Sequence, residues 1–393
     1  MSLENEVIIV GGDHHNTLSI IRCLGKRKIK FKVLIHSGIK KNKKEISVFH
    51  SKYVKDLFVV DEKEMLILDW LLKYGDKRKK QIIFPSSDFS AYTIDKYYNQ
   101  LKEYYFVPGF KNAPGRVVNM MNKYEQKKWA DKNNILMAKS WLVKKGKKGF
   151  IIPKNITFPC IIKPSISAFG SKDDIHISYN EDDFIKAINC FNNSIYNELI
   201  IQEFIEKEYE ICAIGCITPD YSCGQVIRKI RENPPKGGGS LTFAKFINDK
   251  RINDAVDNVI KKLKKENYQG LYDIEFLVQN DTIYLNEINF RNSGNMYALI
   301  KSGILAPYIL YLYFNNKKYQ NNSKGKLICF VDDYNELITL KKRYISFFTF
   351  IHDFFIAKAH STFDIFDIGV FNYTLRTIII KKIEGKKNEK RKN

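Results

Sequence analysis

Glu275, Glu287 and Asn289 are the residues whose types and spacing first suggest chemistry. They lie in Gly270–Gly303, which reads as two short strands, Tyr272–Val278 and Thr282–Ile288, joined by a Gln279–Asp281 turn. Polar turn residues between runs of Tyr, Ile, Leu, Val and Phe are the pattern of a hairpin. Folding about Asn280–Asp281 sets Glu275 roughly opposite Glu287, and Asn289, two residues on, leaves by the same face. Facing carboxylates repel, and a divalent cation offsets that. Two carboxylates with an amide oxygen form a hard-oxygen set suited to Mg²⁺, or Mn²⁺ in its place, which binds substrate phosphates as well. Arg291 follows two residues later, where its planar fork could face the same phosphates. Spacing alone leaves the alternative open: a solvated hairpin whose charges face water.

Lys163 ends the apolar run Phe158–Pro164 and precedes the small-residue loop Ser165–Ser171, which contains Gly170. A point charge beside the backbone N–H groups of a flexible loop can hold phosphates; a strand-end surface lysine is the alternative. Arg228 and Arg231 lie on a strand entering Asn233–Ser240, whose Gly237, Gly238 and Gly239 read as a mobile lid or as a plain hairpin loop. Asp88 reads either as a helix-initiating residue or as a substrate contact at a strand end. His14 and His15 sit beyond a first strand, where α/β folds present ligands, or are ordinary loop groups.

The elements that must position these side chains begin with strand Glu6–Val10, a Gly11–Thr17 turn, helix Leu18–Leu24 and strand Phe31–Ile35. Strands Asp56–Val60 and Gln81–Pro85 flank helix Lys63–Tyr74, and Ser86–Asp88 cap a helix through Tyr98. This is a doubly wound α/β pattern; the turn lacks GxGxxG, so no dinucleotide site is assigned. After a Pro/Gly-marked linker, Val107–Gly115, the spacing predicts helix Arg116–Asn134 with Lys123 early in it, strand Lys139–Val143 and a solvated turn Lys144–Gly149. Strand Ile175–Ser178, helix Asn180–Asn192 and strands Leu199–Ile205 and Tyr209–Ile217 follow. Helices Asn253–Lys265 and Ala306–Phe314, strand Leu327–Val331, helix Asn335–Tyr344 and a frayed basic tail, Lys381–Asn393, complete the reading.

The chain has 393 residues, 44% hydrophobic, enough for two or three domains with a sizeable core. Lys+Arg of 65 against Asp+Glu of 43 gives a net +22, which fits an anionic partner or simply dispersed lysine. No basic–aromatic nucleic-acid module occurs. Seven cysteines are dispersed without CxxC pairs or zinc spacing, as for reduced thiols in a cytosolic protein. MSLENEVIIV has no signal-peptide character, and no run approaches the roughly 18 apolar residues of a spanning helix; the expectation is a cytoplasmic protein. The aromatic segment Ser346–Phe355 and the basic tail read either as a peripheral membrane contact or, as preferred here, a small lobe packed on the rest.

Five ordered blocks then carry a resemblance over roughly residues 5–315. They are Met121–Lys123, FPCIIKPS with its loop, LIIQEFIEKEYEI, RKIRENPPKGGGS, and YDIEF…YLNEINFRNSG. Together the chain resembles the ATP-grasp superfamily, nearest its carbamoyl-phosphate-synthetase-like carboxylate–amine ligases, including D-aspartate ligases of cell-wall synthesis and polysaccharide-associated ligases. The resemblance implies an α/β and α+β protein: a doubly wound pre-grasp domain at 1–110, grasp subdomains at 111–198 and 199–315, and an extension at 316–393. It implies that Lys123 and Lys163, with Ser165, Gly170 and Ser171, hold ATP phosphates. Glu203, Phe204 and Ile205 would read adenine largely through backbone groups, and Glu208, or else Glu210, would accept the ribose hydroxyls. Glu275, Glu287 and Asn289 would hold Mg²⁺, and Arg291 would stabilise the transferring phosphoryl group. Asp88, Arg228, Arg231, Gly238 and Ser240 are the candidate contacts to small carboxylate and amine substrates. The implied reaction is amide formation through an acyl phosphate. A phosphotransferase or bicarbonate-using carboxylase, or a nucleotide-binding scaffold at the envelope, is the alternative.

Overall fold

The computed structural model describes residues 5–166, 174–235, 240–319 and 325–378. The first sheet is parallel, in the order Asp56–Asp61, Phe31–Ser37, Val7–Gly11, Gln81–Pro85, Tyr105–Phe106. Its central strands are continuous apolar runs buried on both faces, Val7–Val10 and Ile82–Phe84 among them, because helices cover both sides.

The second sheet is antiparallel, in the order His176–Ser178, Cys160–Pro164, Glu198–Glu203, Ser140–Gly146, Gly149–Phe150. The third runs Thr282–Asn289, Tyr268–Gln279, Tyr209–Ile217, Ser222–Asn233, Ser240–Ile247, Cys329–Val331, Ala359–His360, and Gly109–Phe110 adds to the end of Tyr268–Gln279. One core joins the first sheet to the third: Leu18 and Val33 belong to the same packed cluster as Leu299, Leu310, Cys212 and Phe246. The opposite face of the third sheet packs Ile274 and Phe276 on Val259 and Leu263 of helix Lys250–Lys265.

Several expectations are corrected. The helix expected over Arg116–Asn134 is two, Arg116–Met120 and Lys123–Lys132, because the Asn122 side chain leaves the helix to accept the N–H groups of Tyr124 and Glu125. The turn expected at Lys144–Gly149 is mostly strand, with Lys144 paired to Glu198. Ser87, not Asp88, caps the helix Asp88–Lys96. Strand Ser240–Ile247 was not anticipated; it begins at the residue assigned to the end of the lid. The region beyond Asn315 is woven in rather than appended. Two of its strands join the third sheet, and Asp367 accepts from the buried Arg22 Nε of helix His15–Gly25 at 2.9 Å. Helices Asp333–Lys341 and Phe347–Ile356 and a helical stretch at 369–378 complete it. Among the described residues no single helix is long and apolar enough to cross a membrane.

Candidate active site

The opening hairpin turns on Asn280 and Asp281, both at positive φ (46° and 62°), as a two-residue turn matched to the strand twist requires. That turn sets the register. Glu275 is the direct partner of Glu287, Asp273 of Asn289, and on the other side Glu275 pairs with Cys212. A bulge follows Glu275, so Phe276 pairs with Leu285 and Asn286 is the extra residue; its amide donates to Glu275 Oε2 at 3.4 Å. The period of two puts Glu210, Cys212, Asp273, Glu275, Glu287 and Asn289 on one sheet face. Ligand atoms of Glu210, Cys212 and Glu275 lie within 4.8 Å of one another.

Cations converge on this face from three directions. Lys123 opens helix Lys123–Lys132, and its Nζ lies 3.2 Å from Glu287 Oε1. Its placement is fixed twice over. Lys123 N–H donates to the Ser165 carbonyl at 2.8 Å, and the buried Gln126 amide exchanges bonds with the Ile288 backbone at 2.9 and 2.8 Å. Lys163 comes from the second sheet and donates to Gln202 Oε1 at 2.9 Å. Burial, then the charge of Lys123, lowers its pKa to about 8 against the pull of Glu287 and Glu275. Lys207 and Lys229 grip Glu210, Lys207 at 2.7 Å.

Arg291 Nε lies 3.0 Å from Asp88 and its Nη1 3.2 Å from Asp273, so it ties the first sheet's strand end to the hairpin. Burial opposes its charge, but Asp88 and Asp273 outweigh that and raise its pKa. Burial pushes the Asp273 carboxyl up to about 6, with Arg291 opposing and Glu275 assisting. Burial, with Asp273 and Glu275, keeps the Cys212 thiol protonated. The donors that remain are hard oxygens, which fit Mg²⁺ rather than a thiolate-seeking metal.

Several other expected contacts are engaged with neighbours. Arg228 pairs with Ile211 and so faces the opposite side of the sheet, stacked 3.9 Å from the Tyr209 ring. Arg231 is bound to Glu336 and, at 2.6 Å, to Asp353. The N–H groups of Glu203, Phe204 and Ser165 already donate to the carbonyls of Lys139, Pro159 and Glu198. Glu208 is exposed and accepts the Asn280 N–H at 2.9 Å, whereas Glu210 is buried. Ser240 pairs with Asn233 at the start of its strand. Ile205 is buried beyond the end of the second sheet. His14 caps its helix, and His15 is half-buried, its Nε2 so near Gly294 that a Cβ there would come within 2.8 Å. Gly170, Ser171 and Gly238 lie outside the described residues. Asp273, Gln202, Lys207 and Lys229 were missed; Asp273, two residues before Glu275, carried the clearest signal.

Residues 128–302 match the ATP-grasp domain family. That stretch, under half of the chain, is similar to an ATP-grasp domain. The chain's large-scale likeness agrees. The N5-carboxyaminoimidazole synthetase structure from Staphylococcus aureus superposes with TM-score 0.63 over 87% of each chain, at 13% identity, which is a likeness of fold. The D-alanine–D-alanine ligase of Campylobacter jejuni is 25% identical over 230 residues, covering 52% of this chain and 63% of the ligase. The carbamoyl phosphate synthase large chain of Saccharolobus solfataricus is 25% identical over 145 residues, 36% of this chain and 14% of the synthase. The chain thus spans less than two thirds of either relative's length. The ATP-grasp match ends at Ser302, so it contains the whole carboxylate hairpin and Lys163 but not Lys123.

Proposed function

We propose that this chain is an ATP-dependent carboxylate–amine ligase that forms an amide through an acyl phosphate. The observation that carries the reading is the facing pair Glu275–Glu287 with Lys123 and Lys163 set against it. A carboxylate oxygen attacking the γ-phosphorus of ATP approaches a like charge, and ADP leaves. Lys123 and Lys163 offset charge on the phosphates, and Arg291, held by Asp88 and Asp273, borders the reacting group. Glu275, Glu287 and Asn289 would hold Mg²⁺, which when bound neutralises phosphate oxygens. The amine nitrogen then attacks the acyl carbon, and phosphate leaves. Glu208, exposed beside the hairpin turn, is better placed than the buried Glu210 to accept ribose hydroxyls.

The D-alanine–D-alanine ligase relative supports small amino-acid-like acid and amine substrates, and a role in cell-wall or surface-polymer synthesis accords with the sequence resemblance. Hydroxylamine stands in for the amine in the test. With ATP, Mg²⁺ and a panel of amino acids, ADP release should match hydroxamate formed. ADP release that depends on bicarbonate, with no hydroxamate from any acid, would replace this reading with a carboxylase.

A further inference from the structure

Helix Phe347–Ile356 is turned inside out. At about 100° per residue, Phe347, Phe348, Ile351, His352, Phe355 and Ile356 share one half of its circumference. That half faces solvent: Phe348 is 85% exposed, Phe355 73%, Phe347 61%, Ile356 45% and Ile351 36%. The inward half carries Asp353, the helix's sole acid, which accepts from Arg231 Nη2 at 2.6 Å. A helix serving a core does the reverse. The apolar surface is larger than one helix. Phe354 contacts Phe363 at 5.3 Å between ring centres, and just beyond it Ile365 and Phe366 are 74% and 65% exposed. Exposed cations flank the helix: Lys341, Lys342 and Arg343 before it, Lys358 after it.

We propose that this face docks on an anionic phospholipid surface. The helix lies flat, with Phe347, Phe348, Ile351 and Phe355 at the boundary between headgroups and acyl chains, and the flanking cations on lipid phosphates. Length and charge favour this occupant. Ten residues span about 15 Å, half the thickness of a hydrocarbon core, which suits in-plane insertion and not crossing. Asp353 is withdrawn onto Arg231, so the helix itself turns no acid toward the headgroups. The chain's +22 is drawn to an anionic bilayer, whereas a second copy bearing +22 is repelled. The inference stands independently of the ligase reading.

The test uses the full chain with vesicles of phosphatidylcholine, alone or mixed with phosphatidylglycerol. The wild type should sediment with the mixed vesicles, and less so as salt rises. F348D/F355D should bind them at least about tenfold more weakly, with thermal unfolding and ADP binding unchanged. K341E/K342E should also bind about tenfold more weakly and lose most of the salt dependence. A conservative reporter, F348W, should shift its emission to the blue on the mixed vesicles. Absence of wild-type binding, an unshifted F348W, or F348D/F355D binding like wild type would each overturn the proposal. A wild-type dimer in sedimentation velocity that F348D/F355D dissolves would assign the face to a second copy instead.

Discussion

Lys163 is the residue whose environment speaks most directly to ligand binding. Its ammonium, lowered by burial and by Lys123 to about 8, must be charged to hold a phosphate. Nucleotide affinity should therefore be flat below pH about 8 and fall by up to about tenfold per pH unit above it. Binding at pH about 8.5 should take up a proton, read in calorimetry as a buffer-dependent enthalpy. K163R keeps its charge throughout this range and should abolish both effects; an unchanged pH profile in K163R would remove Lys163 from the phosphate site. At Glu287 the expectation separates activity from stability. E287Q should lower turnover by at least about 10²-fold. Its unfolding free energy should move by no more than about 1 kcal/mol, because losing the Lys123 pair is offset by relieving repulsion from Glu275.

Among the elements, the hairpin was legible because everything local agrees: Asn280–Asp281 tolerate positive φ, and strict alternation sorts the acids onto one face. The parallel strands were legible as short apolar runs bounded by turns. Helix Phe347–Ile356 resisted reading because its apolar residues face out and its acid faces in, so periodicity carries no sign of the core. Arg231 looked like a substrate contact because its acceptors, Glu336 and Asp353, lie more than 100 positions along the chain. Asp332 gave no signal, because its burial comes from the fold around it. It caps helix Asp333–Lys341, and burial raises its carboxyl to about 6. A raised carboxyl binds its proton more readily folded than unfolded, so its ionisation cost is present at neutral pH and disappears as pH falls through about 6 toward 4. The stability difference between wild type and D332N should shift by about 2 kcal/mol in favour of wild type over that range. Chemical denaturation at about pH 7 and 4 measures it, and parallel curves would mean that Asp332 is not held in its protonated form.

At the scale of the molecule, the region after Asn315 closes the structure. Phe330, Ala359 and Val370 share a core with the first sheet. Asp367 is bonded to Arg22, Ser51 and the Lys52 N–H, at 2.9, 2.9 and 2.8 Å. D367A strands a fully buried guanidinium and should cost about 3–5 kcal/mol of global stability. A loss confined to the C-terminal helices in hydrogen exchange, with the first sheet untouched, would refute that integration. At the other end of the first sheet's Gln81–Pro85 strand, Asp88 opens the next helix and meets Arg291 beside the carboxylate face, so the first sheet borders the proposed phosphate site. The most direct test of the whole account is ADP binding by calorimetry with and without Mg²⁺, in wild type and in E275Q/E287Q. Mg²⁺ should tighten ADP binding by at least about tenfold in the wild type and leave the variant unaffected. Equal Mg²⁺ dependence in the two proteins would show that the facing carboxylates do not seat the metal.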